Sequence, residues 1–487
     1  MCLHIFYAER INAFPTESER INAFPTESER INAFPTESER INAFPTKSIK
    51  TKGEKMKKTI IALTLIIIAI KIHGYSIYNL NLGTRISNHD ARSSALGETG
   101  SAAGFNLFDA NVNPSNLYYL DDVSHFQLNY SLIKNSESRA IPMWNFFDSY
   151  IAQSTYARNE NFFNELSFGI QTLNLKFNDV KLKFAFTYQP VINFSANYRE
   201  EVRNNEDSNN DNYPPIIAMN YLEASGMLNS GNLIFNVGMP VKSFDVSLAA
   251  ELTYYRGSYD YEKRIIWSDT ARERTTVVLE DYDPGKTEHE MDGFGVKFGL
   301  GSQVTERIRL GLSYSPKVKL DASYKESGWQ KEDYDYILPS STRFGMLYMP
   351  RNPFRTNFHA DFEMLNYEDI DSSFENGYAF YVGMEHYVGR AIPFRMGFSH
   401  KTAAQDRGIG LPTVSIGTGF GIMKNLNLDL SAEFGRREYV ELDLFPDGFY
   451  NVPELWNRYE PADRGWDNPD KVTESFFKMF VSVVYKL

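Results

Sequence analysis

The sequence predicts a closed transmembrane antiparallel β-barrel of about fourteen strands, with an amino-terminal hatch inside its lumen. Three observations carry this reading. Apolar residues occupy every second position in many segments, the connections between those segments alternate between short and long, and the chain ends on an apolar dyad, Ser475 to Leu487. A period of two is that of a strand with one greasy face, and loops sorted by length are the rule for membrane barrels. No run after residue 74 approaches the roughly 18 apolar residues of a membrane helix, which leaves strands as the route across a bilayer.

In chain order, residues 1–55 are read as a disordered decapeptide-repeat extension ahead of the working start codon. ERINAFPTES at Glu9 to Ser18 recurs from Glu19, from Glu29 and in part from Glu39. Units this short offer one Ile and one Phe each, too little to bury a stacked core. Residues 56–75 read as a secretory signal peptide: Met56, basic Lys57 and Lys58, apolar Ile60 to Ile70, and a cleavage zone near Gly74. The only cysteine, Cys2, precedes this signal, so the exported chain has no disulfide, thiol nucleophile or cysteine metal site. Residues 1–55 carry eight basic and eight acidic side chains and the signal carries Lys57, Lys58 and Lys71, which leaves the exported part more acidic than the −12 of the whole. Such a balance excludes nucleic acid as a partner. Aromatic residues at 15% suit the interfacial girdles of a barrel.

Residues 76–123 are assigned to the hatch. Asn88 to Leu117 is rich in Ala, Gly, Ser and Asn and shows no strand dyad, the composition of a segment packed tightly inside something else. Asp90, Ala91, Arg92, Ala95, Leu96, Gly97, Thr99, Gly100 and Ala102, then Asp109 and the Asn113, Pro114, Ser115, Leu117 run, resemble the hatch of the FadL-type outer-membrane transporters. Glu98 departs from the pattern, where Gly is usual, as do Ser115 and Asn116, where Ala and Gly are usual. Leu338 to Tyr367, with Leu-Pro opening a strand and an Asp in the returning one, extends the resemblance. It implies a fourteen-stranded barrel in the outer membrane of a Gram-negative-type bacterium, acting without cofactor as a monomeric channel for passive uptake of hydrophobic small molecules such as long-chain fatty acids. It also implies that Arg92, Leu96, Gly97, Gly100, Asn113 and Pro114 form the hatch motif. The related PorV and PorQ proteins of type IX secretion share much of that motif, so a PorV-like role as partner of a protein secretion system is the alternative.

Residues 124–487 are assigned to the barrel. Phe126, Leu128, Tyr130 and Leu132 open the series of dyads; Leu166, Phe168 and Ile170, then Leu182, Phe184, Phe186 and Tyr188, continue it. Further strands are expected near 231–239, 244–256, 291–301, 307–324, 342–349, 356–365, 379–388, 392–400, 413–423 and 426–436. With 148–157 included the candidates number about fifteen, one more than an even-stranded barrel allows, so one of the first four is superfluous. Short turns are expected at 240–243, 302–306, 350–354, 389–391 and 424–425, and long loops at 200–230, 262–290, 326–341, 366–378, 401–412 and 437–474. In the last strand Phe477, Met479, Val481, Val483, Tyr485 and Leu487 share the lipid face. Phe477, Tyr485 and Leu487 are the residues expected to engage the barrel assembly machinery.

No catalytic constellation emerges and no metal site is expected. His289, His359, His386 and His400 are scattered, and Ser399 and His400 point to opposite faces of one strand. Gly417 to Gly421 (GTGFG) follows no βαβ pattern and reads as small inward residues of a strand. Arg199 to Asn212 is acidic and Asn-rich without the ligand spacing of a calcium loop. In the same loop Ile217, Tyr221 and Leu228 fall at helical spacing after Pro214 and Pro215. The helix so predicted either captures apolar ligand at the cell surface or packs on neighbouring loops as a lid. Pro190 interrupts a strand, and it marks either an ordinary strand end or the kink that, in the resembled family, opens the wall sideways. The partners implied are a hydrophobic small molecule or fatty acid and outer-membrane lipid.

Overall fold

In the computed structural model, residues 82–87, 89–144, 147, 149–203, 216–242, 244–326, 330–351, 355–388, 392–445, 447–450, 452, 455 and 469–487 are described. All lie in one of the chain's two units, Lys71–Leu487; the repeats, the signal peptide and residues 204–215 of the Asn-rich loop fall outside them. No helix among the described residues is long and apolar enough to cross a membrane.

The wall is antiparallel throughout. β1 (Thr84–Arg85) belongs to the segment that precedes the barrel. The barrel follows: β2 (His125–Trp144), β3 (Tyr150–Phe177), β4 (Val180–Asn193), β5 (Ala196–Arg203), β6 (Ile216–Val241), β7 (Phe244–Trp267), β8 (Thr287–Thr305), β9 (Ile308–Ser315), β10 (Val318–Glu326), β11 (Glu332–Leu338), β12 (Ser340–Tyr348), β13 (Thr356–Asn366), β14 (Gly377–Val388), β15 (Ile392–Thr402), β16 (Gly410–Met423), β17 (Leu426–Glu441) and β18 (Asp470–Lys486). Closure comes from β18, which pairs with β17 on one side and with β2 on the other, from Lys471 opposite Ala140 to Lys486 opposite His125.

Three staves are interrupted, so the barrel has fourteen. β4 and β5 form one stave along β6, broken at Phe194 and Ser195. β9 and β10 form a second along β8, and β11 and β12 a third that pairs with both of them. The second and third breaks fall at Pro316 and Pro339, on neighbouring staves, since a proline has no N–H to give a ladder. The surplus strand of the sequence reading is also accounted for. The segments expected at 148–157 and from Leu166 are one strand, β3, and the strand expected at 231–239 begins at Ile216.

The barrel extends well beyond its apolar band, which corrects three of the expected loops. β6 and β7 stay paired from Val241 opposite Phe244 up to Ala218 opposite Trp267, and β11 lies inside the loop expected at 326–341. Once strands leave the lipid their outer face turns polar, and the alternation that reveals a strand in sequence fades. Ile216 to Leu228, expected as part of a helix, is the start of β6 for the same reason: Ala218, Leu222 and Ala224 alternate on its buried face.

Outward side chains form the lipid belt. Phe294, Phe298, Phe344, Phe380, Phe434, Phe477 and Met479 are all exposed, and a closed barrel girdled in this way is a membrane-spanning one. Inward residues are small or polar where they meet the amino-terminal segment.

Candidate functional site

The amino-terminal segment is built from short pieces held by side-chain caps. Asp90 caps the helix Ala91–Ala95 by accepting from the amides of Arg92 at 2.9 Å and Ser93 at 3.0 Å. Gly97, φ +67°, turns the chain after it. Asn113 caps the 3₁₀ turn Pro114–Tyr119 by accepting from Ser115 N, while its amide donates to Ser101 O at 2.7 Å. Leu96, Asn113 and Pro114 are buried. The expected motif is thus a set of turn and cap positions, with Pro at the first place of a helical turn.

This segment lies against the inward face of the wall. Arg92 pairs with Glu385 at 2.7 Å and stacks its guanidinium over Phe105 at 3.9 Å. Gly100 and Ser101 both donate their amides to Asp361 Oδ2 at 2.9 Å, a carboxylate also held by Arg343 at 2.9 Å. Arg85 pairs with Glu363 at 2.8 Å, and Glu363 also accepts from Tyr381 at 2.8 Å. Asp361 and Glu363 lie at alternate positions of the strand expected at 356–365, as its polar face. The pairings of Arg85, Glu98, Arg343 and Lys401 were not legible in the sequence, because the contacts Arg85–Glu363, Arg343–Glu98 and Lys401–Glu98 span 278, 245 and 303 residues. Close approach of backbones completes the docking. A Cβ on Gly397 would collide with Gly97 N, and one on Gly383 with Leu96 O.

Between this segment and the wall lies a cavity of about 290 Å³. One side is apolar and aromatic, with Val191, Ile192, Tyr255, Val318, Tyr336 and Leu338; the other carries Glu98, Arg343, Lys401, Glu433 and Lys478. The apolar side is stiffened by stacked rings, Phe194 on Tyr259 at 4.2 Å and Tyr259 on His289 at 4.2 Å.

The wall beside the cavity is incomplete. Pairing of β3 with β4 ends at Phe168 opposite Tyr188. Pro190 follows, then an extra residue: Pro190 faces Asn229 and Ile192 faces Leu228, which leaves Val191 as a bulge. Above it β5 meets β3 through Asn161 donating to Asn197 O at 3.0 Å and Asn159 accepting from Arg199 N at 3.0 Å, both through side chains. The edge of β4 that β3 abandons is taken by β1, Thr84 opposite Asn193 and Arg85 opposite Ile192.

Ile217, Tyr221 and Leu228 do not converge. Ile217 is buried in an outer cluster with Tyr198, Leu222, Trp267, Phe445 and Tyr450, Leu228 in the inner cluster with Ile192 and Phe194, and Tyr221 lies under Arg199 and Arg264 at 5.7 and 5.3 Å. Ser399 is buried and its neighbour His400 exposed, and no group of metal-ligating side chains occurs among the described residues. At the other end of the molecule Lys486 binds Asp121 and holds its carboxyl below the usual carboxylate range, while Leu487 N donates to Ser124 O at 2.9 Å.

These features define a class: a fourteen-stave membrane barrel with an internal amino-terminal segment, a cavity above it and a break in the wall beside it. Its fold is that of the FadL-type barrels. The structure is similar to that of the toluene transporter TodX of Pseudomonas putida, at 12% identity over 83% of this chain and 100% of that one, with a TM-score of 0.51. It is equally similar to a FadL homologue of Pseudomonas aeruginosa, at 11% identity over 83% of this chain and 99% of the other, TM-score 0.51. No protein-family profile and no curated protein sequence matches the chain.

Proposed function

We propose that the chain is an outer-membrane channel that lets hydrophobic small molecules pass by diffusion, long-chain fatty acids and monoaromatic hydrocarbons being the compounds to test. The observation that carries this reading is the adjacency of the cavity to the break between β3 and β4. An apolar molecule seated on Val191 and Ile192 stands beside the place where β3 and β4 part, and it reaches lipid by displacing only the two-residue β1 from the edge of β4. Burial of its surface, at about 25 cal/mol per Å², drives entry, and the membrane beyond the gap receives it at no further cost in apolar exposure. The shared fold supports the reading, since one of the two similar solved structures is that of a toluene transporter.

A PorV-like secretion partner would need neither cavity nor gap, and the cavity favours the channel. The decisive experiment removes Val191. Deletion restores one-to-one pairing of β4 with β6 and straightens the stave, and uptake of radiolabelled toluene and decanoate into proteoliposomes then falls to that of empty vesicles. Unchanged uptake by a correctly folded deletion variant rejects the lateral route.

A further inference from the structure

The cavity contains two carboxylate oxygens with no hydrogen-bond partner among the described residues, Glu433 Oε1 on β17 and Glu251 Oε2 on β7. Both residues are 3% exposed. Their neighbours in the cavity are engaged: Glu98 accepts from Lys401, and Glu363 accepts from Arg85 and Tyr381. A buried acceptor without a donor is costly, so these two oxygens are the places in the lining where a bound molecule gains most by bringing a donor.

Resting on the channel reading, we propose that the molecule this cavity selects is a neutral amphipath bearing a hydroxyl, whose apolar ring or chain lies on Val191, Ile192, Tyr255, Val318 and Tyr336 and whose O–H donates to Glu433. Three alternatives fit less well. A carboxylate brings no donor and adds an anion beside Glu433. An ammonium brings donors, but Glu433 stands directly across the ladder from Lys478, and Lys401 and Arg437 line the same cavity, so a further cation meets like charge. A bare hydrocarbon fills the apolar side and leaves Glu433 Oε1 without a donor. The hydroxyl alone supplies a donor without a charge. Glu251, across the lumen beside Lys297 at 3.5 Å, offers a second acceptor to a molecule with two hydroxyls.

The test uses an isosteric set against the purified barrel in lipid nanodiscs: p-cresol, toluene, p-toluate and 4-methylbenzylammonium, with decanoate as a long-chain reference. Equilibrium dialysis is expected to show p-cresol bound about tenfold tighter than the other three, the effect of one charge-assisted hydrogen bond. Glu433→Met removes the acceptor at similar volume and is expected to abolish that preference while toluene affinity stays; Glu251→Met, which keeps Glu433, retains the preference. Heat-modifiable migration on gels reports whether each variant is folded. Equal binding of p-cresol and toluene by the wild type, or a preference for p-toluate, overturns the proposal, and so does a preference that survives Glu433→Met. Binding of toluene or decanoate without preference leaves the channel reading standing. Failure of all five probes to bind removes both.

Discussion

Glu98 stands at φ +65°, directly after Gly97 at φ +67°. A left-handed backbone costs a residue with a Cβ about 1–2 kcal/mol, which is the reason glycine is usual at this place in the resembled hatch. The carboxylate offsets that strain by taking Lys401 at 2.6 Å and the Ser87 hydroxyl, and its carbonyl accepts from Arg343. The departure from the motif is thus a compensated one. Glu98→Gly and Glu98→Ala both forfeit Lys401, but only Ala keeps the strain. Urea unfolding of the refolded barrel is expected to place Glu98→Gly about 1 kcal/mol above Glu98→Ala; equal midpoints would show that the backbone is unstrained there.

Among the elements, the internal segment is positioned by the absence of side chains on the wall as much as by ion pairs. Gly383 and Gly397 face each other across β14 and β15 and admit the backbone of Leu96 and Gly97 to a distance that no Cβ allows. Gly397→Ala is therefore expected to dislodge the segment. Gly421, on β16 with its nearest neighbour 3.6 Å from an added Cβ, accepts alanine without change. Limited proteolysis of purified protein distinguishes the two: cleavage within 89–120 rises in Gly397→Ala and not in Gly421→Ala. Protection in both variants would mean that the ion pairs of Arg85, Arg92 and Glu98 hold the segment by themselves. The motif at Arg92 to Pro114 was readable as a pattern. The glycines that receive it, among them Gly311, Gly345, Gly383, Gly397 and Gly417, sit on separate strands, and their shared surface exists only after closure.

For the barrel as one body the closing contact is between β18 and β2. Phe477, Met479, Tyr485 and Leu487 point outward from it, and Lys486 and Leu487 tie the chain end to Asp121 and Ser124, where the internal segment joins the barrel. The last strand and the end of the internal segment are therefore joined at one place. A terminal aromatic is the usual end of such chains, and we expect Leu487→Phe to raise the yield of folded barrel in the outer membrane, read as heat-modifiable protein per total. A lower yield rejects the role assigned to Phe477, Tyr485 and Leu487 in assembly.

Period two and loop length are local properties, so the barrel, its staves within the lipid and the lipid face of each could all be read along the chain. Pro190 marked an irregularity on the same local grounds. Folding in three dimensions was needed to show that the outer half of β6 is strand and not helix, that three staves are broken, and that Glu433 and Glu251 share a cavity with Val191 and Tyr336. Those facts depend on closure: residues far apart in the chain set whether an inward carboxylate finds a donor, and whether an extra residue such as Val191 is absorbed or leaves a gap.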